Sequence, residues 1–166
     1  ITPVTFPAHR IIVAKFSNTL AELCASGGGD NGSTPIPIDN VSPDIFRLLL
    51  SYMYGMKISN DDMKSHAKEI IDAADRYGVA TLKLEAEASL VKGTTFSLEN
   101  VMEHLIYADS INCALLKEAA MDFIVENSAA VIDKISFNDL LTPTLFRDVQ
   151  SAVSRREKKL GVSGGG

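Results

Sequence analysis

A ten-residue pattern occurs twice in this chain, 34 positions apart, and it restricts the fold more than any other feature. Ala74-Asp75-Arg76-Tyr77-Gly78-Val79-Ala80-Thr81-Leu82-Lys83 returns as Ala108-Asp109-Ser110-Ile111-Asn112-Cys113-Ala114-Leu115-Leu116-Lys117. Each copy follows an apolar stripe with helical spacing. Each carries Gly78 or Asn112 at its fifth position, the residue types that most readily take the left-handed conformation closing a helix. A second helix opens after each. The pattern predicts stacked helical hairpins, a scaffold for binding partners rather than a pocket for chemistry.

The bulk numbers narrow the class further. At 166 residues, with 46% hydrophobic and 22% charged residues, the chain suits one core with a helical extension. A net charge of -5 argues against nucleic acid as the main partner, because phosphate binding needs a basic face. No apolar run approaches the ~20 residues of a membrane span. The start, Ile1-Thr2-Pro3-Val4, shows no signal peptide. Without an initiator methionine, a fragment of a longer protein is expected. Cys24 and Cys113 follow no pairing pattern, which favours a reducing compartment. A cytoplasmic or nuclear location is expected.

Along the chain, residues 4 to 9 read as the end of a short strand, followed by a short helix over Arg10 to Phe16. Ser17 or Asn18 can cap a second short helix. Ser26 to Ser33 is a glycine-rich loop. Pro35-Ile36-Pro37-Ile38 alternates like a strand, but its prolines confine it to an edge or a very short ladder. Ser42-Pro43-Asp44 is a strong helix start, and Ile45, Phe46, Leu49, Leu50 and Met53 share one face up to a stop at Gly55. Met56 to Ile58 reads as a third short strand.

Helix is expected from Asn60 onward. Met63, Ala67, Ile70, Ile71, Ala74 and Tyr77 form one stripe, and Leu84, Ala88 and Val91 the next. Ser97 and Thr142-Pro143 open further helices, the last one ending in Arg155, Arg156, Lys158 and Lys159 before Gly161. Strands early and helices afterward predict an α+β domain, a small β-sheet flanked by helices, followed by helical hairpins.

Candidate chemistry is sparse. His9 stands where a strand turns into a helix and is read as a buried structural histidine bonded to backbone. His66 and His104 lack a second His or Cys at metal spacing and read as solvated surface positions. The glycine loop lacks a Gly-Lys-Ser/Thr ending, so it is a connector and not a phosphate cradle. Cys24 and Cys113 read as core thiols, and Glu85 and Glu87 as a solvated charged face. No catalytic residue, cofactor site or metal site is assigned.

Six segments, in order and spacing, resemble the BTB/POZ domain. They are Phe6-Pro7-Ala8-His9-Arg10 with Ser17; Ile36-Pro37-Ile38-Asp39; Val41-Ser42-Pro43-Asp44-Ile45-Phe46; Tyr52-Met53-Tyr54-Gly55; Ala73-Ala74-Asp75-Arg76-Tyr77; and the stretch from Glu99-Asn100 through Ala108-Asp109, Leu116-Lys117 and Asp122-Phe123-Ile124. The last resembles the 3-box or BACK-like helical extension of MATH-BTB ubiquitin-ligase adaptors of the speckle-type POZ kind. The resemblance implies a BTB/POZ domain over 1–92, a helical extension over 93–157 and a disordered tail over 158–166.

It also implies a non-catalytic substrate adaptor. Such a protein forms a homodimer, docks cullin-3 and holds its substrate protein through a domain outside this fragment. Ile12 falls where the family has an apolar residue facing its dimer mate. The family's first helix and strand are not matched, since the chain starts at the second strand. Cullin-binding members carry a hydrophobic-x-acid motif where this chain has Gly28-Gly29-Asp30. The implied cullin contacts are Gly28, Gly29, Asp30, Tyr52, Met53, Tyr107 and Phe123. Two competitors remain: a self-association domain of a transcriptional regulator or scaffold protein that does not bind cullin, and a free-standing helical repeat protein.

Overall fold

The computed structural model describes residues 4–27, 35–134 and 142–163. Among them every regular element is a helix: α1 (Arg10–Phe16), α2 (Asn18–Gly27), α3 (Pro43–Met53), α4 (Asn60–Ser65), α5 (Ala67–Arg76), α6 (Ala80–Gly93), α7 (Val101–Ser110), α8 (Ala114–Glu126), α9 (Ser128–Lys134) and α10 (Pro143–Ser163). The chain divides into two compact units, Ile1–Lys92 and Gly93–Gly166.

The expected sheet is overturned, and with it the α+β class. Residues 4–9, 35–39 and 56–59 form no strand. Pro7, Pro35 and Pro37 have no N–H to give a ladder, and no backbone hydrogen bond joins 4–8 to 35–39 among the described residues. The alternation survives as a difference in burial. Phe6, Ile36 and Ile38 are half-buried, whereas Thr5, Pro7, Pro35 and Pro37 are exposed.

The first unit is held by caps and a helical core. Ser42 accepts a hydrogen bond from the Ile45 N–H at 3.3 Å, with Pro43 opening α3. The helix ends at Met53, and the turn after it closes at Gly55, whose φ of 82° no side chain adopts easily. The N–H of Met56 then reaches back to the Ser51 carbonyl at 3.0 Å. All five residues expected on the inner face of α3 are buried, from Ile45 to Met53. The stripe from Met63 to Tyr77 is buried as well. Ser17 links the ends of this unit. Its buried hydroxyl accepts from the Leu20 N–H at 3.0 Å, capping α2, and donates to the Tyr77 carbonyl at 2.5 Å.

In the second unit α7, α8 and α10 pack around one core, in which Val101, Met102, Leu105, Ala120, Ile124, Val131, Leu145 and Val149 are buried. Thr142 caps α10 by accepting from the Leu145 N–H at 3.2 Å.

Both copies of the repeat form the same corner. Gly78 and Asn112 have φ of 68° and 53°. The next N–H, from Val79 or Cys113, bonds the carbonyl of Ala74 or Ala108 at 2.8 Å in each copy. Val79, Leu82, Cys113 and Leu116 are all buried beneath these corners.

Several local expectations change. In α6 the inward stripe is Leu82, Ala86 and Glu87, while Leu84 and Ala88 face solvent. Glu87 is therefore a buried residue and not part of a solvated face. α7 begins at Val101, because Asn100 and Ser97 close a turn first, the Asn100 Oδ1 accepting from the Ser97 N–H at 2.9 Å. The α10 backbone stays helical past Gly161 to Ser163, through most of the stretch expected as a disordered tail.

Candidate functional site

The candidate site of a chain with this architecture is a surface, built from apolar side chains that the core leaves outside. In the first unit the N-terminal end of α1 meets the end of α3 through His9 and Tyr54. The His9 N–H donates to the Tyr54 hydroxyl at 2.7 Å, and the same hydroxyl lies 2.8 Å from His9 Nδ1. His9 is exposed, so its structural partner is a tyrosine hydroxyl and not buried backbone. The pair leaves large apolar side chains in solvent nearby in sequence: Ile11 is 82% exposed, Met56 56% and Tyr54 39%. Ile12, the expected dimer residue, is half-buried on α1.

Tyr52 is half-buried at the end of α3, and its hydroxyl donates to Glu85 Oε1 on α6 at 2.9 Å. Burial pushes its phenol up from the usual range; a hydrogen bond with Thr81 opposes this and the Glu85 carboxylate adds to it. The neighbouring Leu84 is 56% exposed. Met53, by contrast, is 2% exposed and belongs to the core. Gly28, Gly29 and Asp30 lie outside the described residues.

In the second unit Tyr107 and Phe123 are both half-buried, on α7 and α8. Phe123 packs against the core, its ring 6.1 Å from that of Phe96. Leu115, at the start of α8, is 38% exposed. His104 is half-buried with its ring edge-on to Phe96 at 5.6 Å, which corrects its reading as a solvated position.

The corner of this unit is pinned by charge. Lys117 Nζ lies 2.7 Å from Asp109 Oδ1 and 3.7 Å from Asp148 Oδ2 on α10. The hydrogen bond to Asp109 raises the Lys117 ammonium above its ordinary range, burial opposes it, and the Asp148 carboxylate adds to the rise.

Leu84, Ile11 and Met56 escaped sequence reasoning. Ile11 had a signal, since Ile11, Ile12 and Val13 are consecutive and a helix cannot bury three neighbours on one side. Only Val13 is fully buried.

These surfaces are made of apolar side chains that the core leaves exposed or half-buried. Among the described residues, no group of three His, Cys, Asp or Glu side chains could hold a metal ion. No helix among them is long and apolar enough to cross a membrane.

A family model for the BTB/POZ domain matches residues 2–94, more than half of the chain. The chain belongs to the BTB/POZ family. The matched segment coincides closely with the first compact unit, and BTB/POZ domains are protein-interaction and dimerisation domains. Curated relatives carry the same domain in their names. The TD and POZ domain-containing protein 1 of Mus musculus is 29% identical over 136 residues, covering 82% of this chain and 37% of that protein. The BTB/POZ and MATH domain-containing protein 6 of Arabidopsis thaliana is 28% identical over 178 residues, covering 96% of this chain and 42% of its own length. The chain thus spans about two fifths of the length of these two relatives.

Proposed function

We propose that this chain is the non-catalytic dimerisation and cullin-3-recruiting module of a ubiquitin-ligase substrate adaptor. One observation carries the reading: a BTB/POZ domain is followed directly by a second unit built on helical hairpins, the order that a 3-box extension requires. A relative matched over 96% of this chain combines BTB/POZ with MATH in one polypeptide. A recognition domain outside residues 1–166 would hold the substrate protein. The module acts by position in the cytoplasm or nucleus. It raises the effective concentration of substrate beside a ubiquitin-loaded enzyme, and a homodimer adds avidity.

The proposed cullin contacts are Tyr52 on the first unit and Tyr107 and Phe123 on the second, with the loop Gly28-Gly29-Asp30. Met53 supports α3 from within and makes no contact. The proposed dimer contact is the α1 face carrying Ile11 and Ile12. Substituting Ile12→Lys lowers the apparent mass in sedimentation if this face joins two copies; an unchanged mass of a dimeric parent removes it.

A second reading keeps self-association and drops cullin, as in a transcriptional regulator or scaffold protein. The glycines at 28 and 29 favour it, because glycine has no side chain to fill a partner's pocket as an apolar hot spot does. Calorimetry with the amino-terminal helical region of cullin-3 separates the two. Saturable heat at concentrations on the order of tens of micromolar supports recruitment, and no heat supports the second reading.

A further inference from the structure

Five consecutive residues of α10, Arg155-Arg156-Glu157-Lys158-Lys159, include four cations and one acid. The stretch carries +3 in a chain of net charge -5, so the remainder of the chain carries -8. In sequence these cations stand just before Gly161, where they would offset the negative end of a helix. The structure removes that role. α10 continues to Ser163, and its last turn contains no basic residue. The field of a helix end falls off within that turn.

The helix does not neutralise these cations either. Along a helix, neighbouring side chains are three or four residues apart. Glu157 has Val153, Ser154, Leu160 and Gly161 at those spacings, none of them basic. The same spacings relate Arg155 to Lys158 and Lys159, and Arg156 to Lys159. Like charges in such a register oppose the helix that carries them. Cations elsewhere are placed beside acids: Arg47 lies 2.6 Å from Asp44, Lys83 2.6 Å from Asp75 and Lys117 2.7 Å from Asp109. Arg155 is exposed, and its Nε donates to the Ser151 carbonyl at 3.0 Å, which uses one of its five N–H donors.

We infer that residues 155–159 of α10 are a docking face for an acidic segment of another polypeptide. Carboxylates there offset the like-charge opposition within the helix, and arginine offers them paired N–H donors. The size of the face selects this partner. Five helical residues span about 6 Å along the axis, and exposed charges act over about 10 Å at moderate salt. A short acidic run therefore feels the local +3. A nucleic-acid duplex or an anionic membrane is wider than the face and also meets the remainder of the chain, which repels it. The face uses none of the residues proposed for cullin-3 and does not depend on that reading.

The test uses the 166-residue chain, labelled with nitrogen-15 and titrated at low salt with the blocked peptide acetyl-Glu-Asp-Glu-Asp-Glu-Asp-amide. The amides of Ser154 to Ser163 are expected to shift, with a Kd on the order of 100 μM that weakens as salt is added. The uncharged peptide acetyl-Gln-Asn-Gln-Asn-Gln-Asn-amide, on the unaltered protein, is expected to leave them in place. The combined variant Arg155→Gln, Arg156→Gln, Lys158→Gln and Lys159→Gln keeps helix propensity and is expected to bind at least about tenfold more weakly. Lys15→Gln, Lys57→Gln, Lys64→Gln and Lys92→Gln together remove the same charge from exposed positions of the first unit and leave affinity within about twofold. An equal loss in both variants would assign binding to net charge and overturn the face. So would shifts confined to other residues, none at peptide concentrations on the order of 1 mM, or equal binding of the uncharged peptide. Tighter binding of phosphatidylserine vesicles or duplex DNA than of the acidic peptide would overturn the choice of partner. If the same amides move with the chain's own concentration before peptide is added, a second copy covers the face and the assignment to another polypeptide fails.

Discussion

The two corners, Asp75–Lys83 in the first unit and Asp109–Lys117 in the second, repeat one local design. Both close through a residue with positive φ, both bond the following N–H to an alanine carbonyl at 2.8 Å, and both join Asp to Lys at 2.6 or 2.7 Å. They differ in what surrounds them. Lys117 also approaches Asp148 of α10. The first corner instead supplies the Tyr77 carbonyl that receives the Ser17 hydroxyl, and the Tyr77 ring meets Phe46 edge-on at 5.8 Å. The repeated residues therefore specify the turn itself, and residues outside the repeat specify what is attached to it.

The sharpest way to break this equivalence is through the leucine buried beneath each corner. Leu82 and Leu116 are both 0% exposed. Replacing either by alanine is expected to cost about 2–5 kcal/mol through lost burial and a cavity. Urea unfolding combined with hydrogen exchange should show each loss in the unit that holds the leucine. A cost below 1 kcal/mol at one of them would mean that the two corners do not carry equal cores.

A smaller effect is expected at the turn. A Cβ at Gly78 would meet nothing within 4 Å, so Gly78→Val acts through its φ of 68° alone. The expected loss is about 1–2 kcal/mol. Asn112→Val should lose less, since the parent residue already carries a Cβ at positive φ. Equal losses by thermal unfolding would contradict this.

Charge gives the next contrast. The folded-state Lys117 ammonium is raised, first by its bond to Asp109. Its contribution is therefore complete below the unfolded lysine value of 10.5 and disappears as pH rises through the folded one. Stability of the second unit should fall in that alkaline window by about 0.2–1 kcal/mol, and Lys117→Met should remove this part of the slope. The same alkaline decline in Lys117→Met would locate its source elsewhere. Smallest of all is Asn112→Gly, expected to change stability by no more than a few tenths of a kcal/mol, because both residues tolerate the left-handed region.

These contrasts also explain what was legible in the sequence. The caps at Ser42 and Thr142, the stop at Gly55 and the buried stripe from Met63 to Tyr77 follow from rules that act within a turn or two of helix. The sheet does not, since a ladder depends on partners distant in sequence and on donors that Pro7, Pro35 and Pro37 lack. Alternation at Phe6, Ile36 and Ile38 encodes which residues are half-buried and does not encode pairing. In α6 the buried stripe starts at Leu82 and not Leu84, and the sequence alone does not separate the two because both are leucines at a possible start. The family was legible from six short segments whose order and spacing reinforced one another. Tyr52, Tyr107 and Phe123, expected as partner contacts, are half-buried. The exposure of Ile11, Met56 and Leu84 is not legible in the sequence, since it depends on how helices stack.

Hydrogen exchange of the 166-residue chain, alone and saturated with the amino-terminal region of cullin-3, tests the docking account most directly. Recruitment predicts slower exchange in the α7–α8 hairpin, Val101 to Glu126, and at the end of α3 around Tyr52. Unchanged exchange in the hairpin at saturating cullin-3 would contradict it.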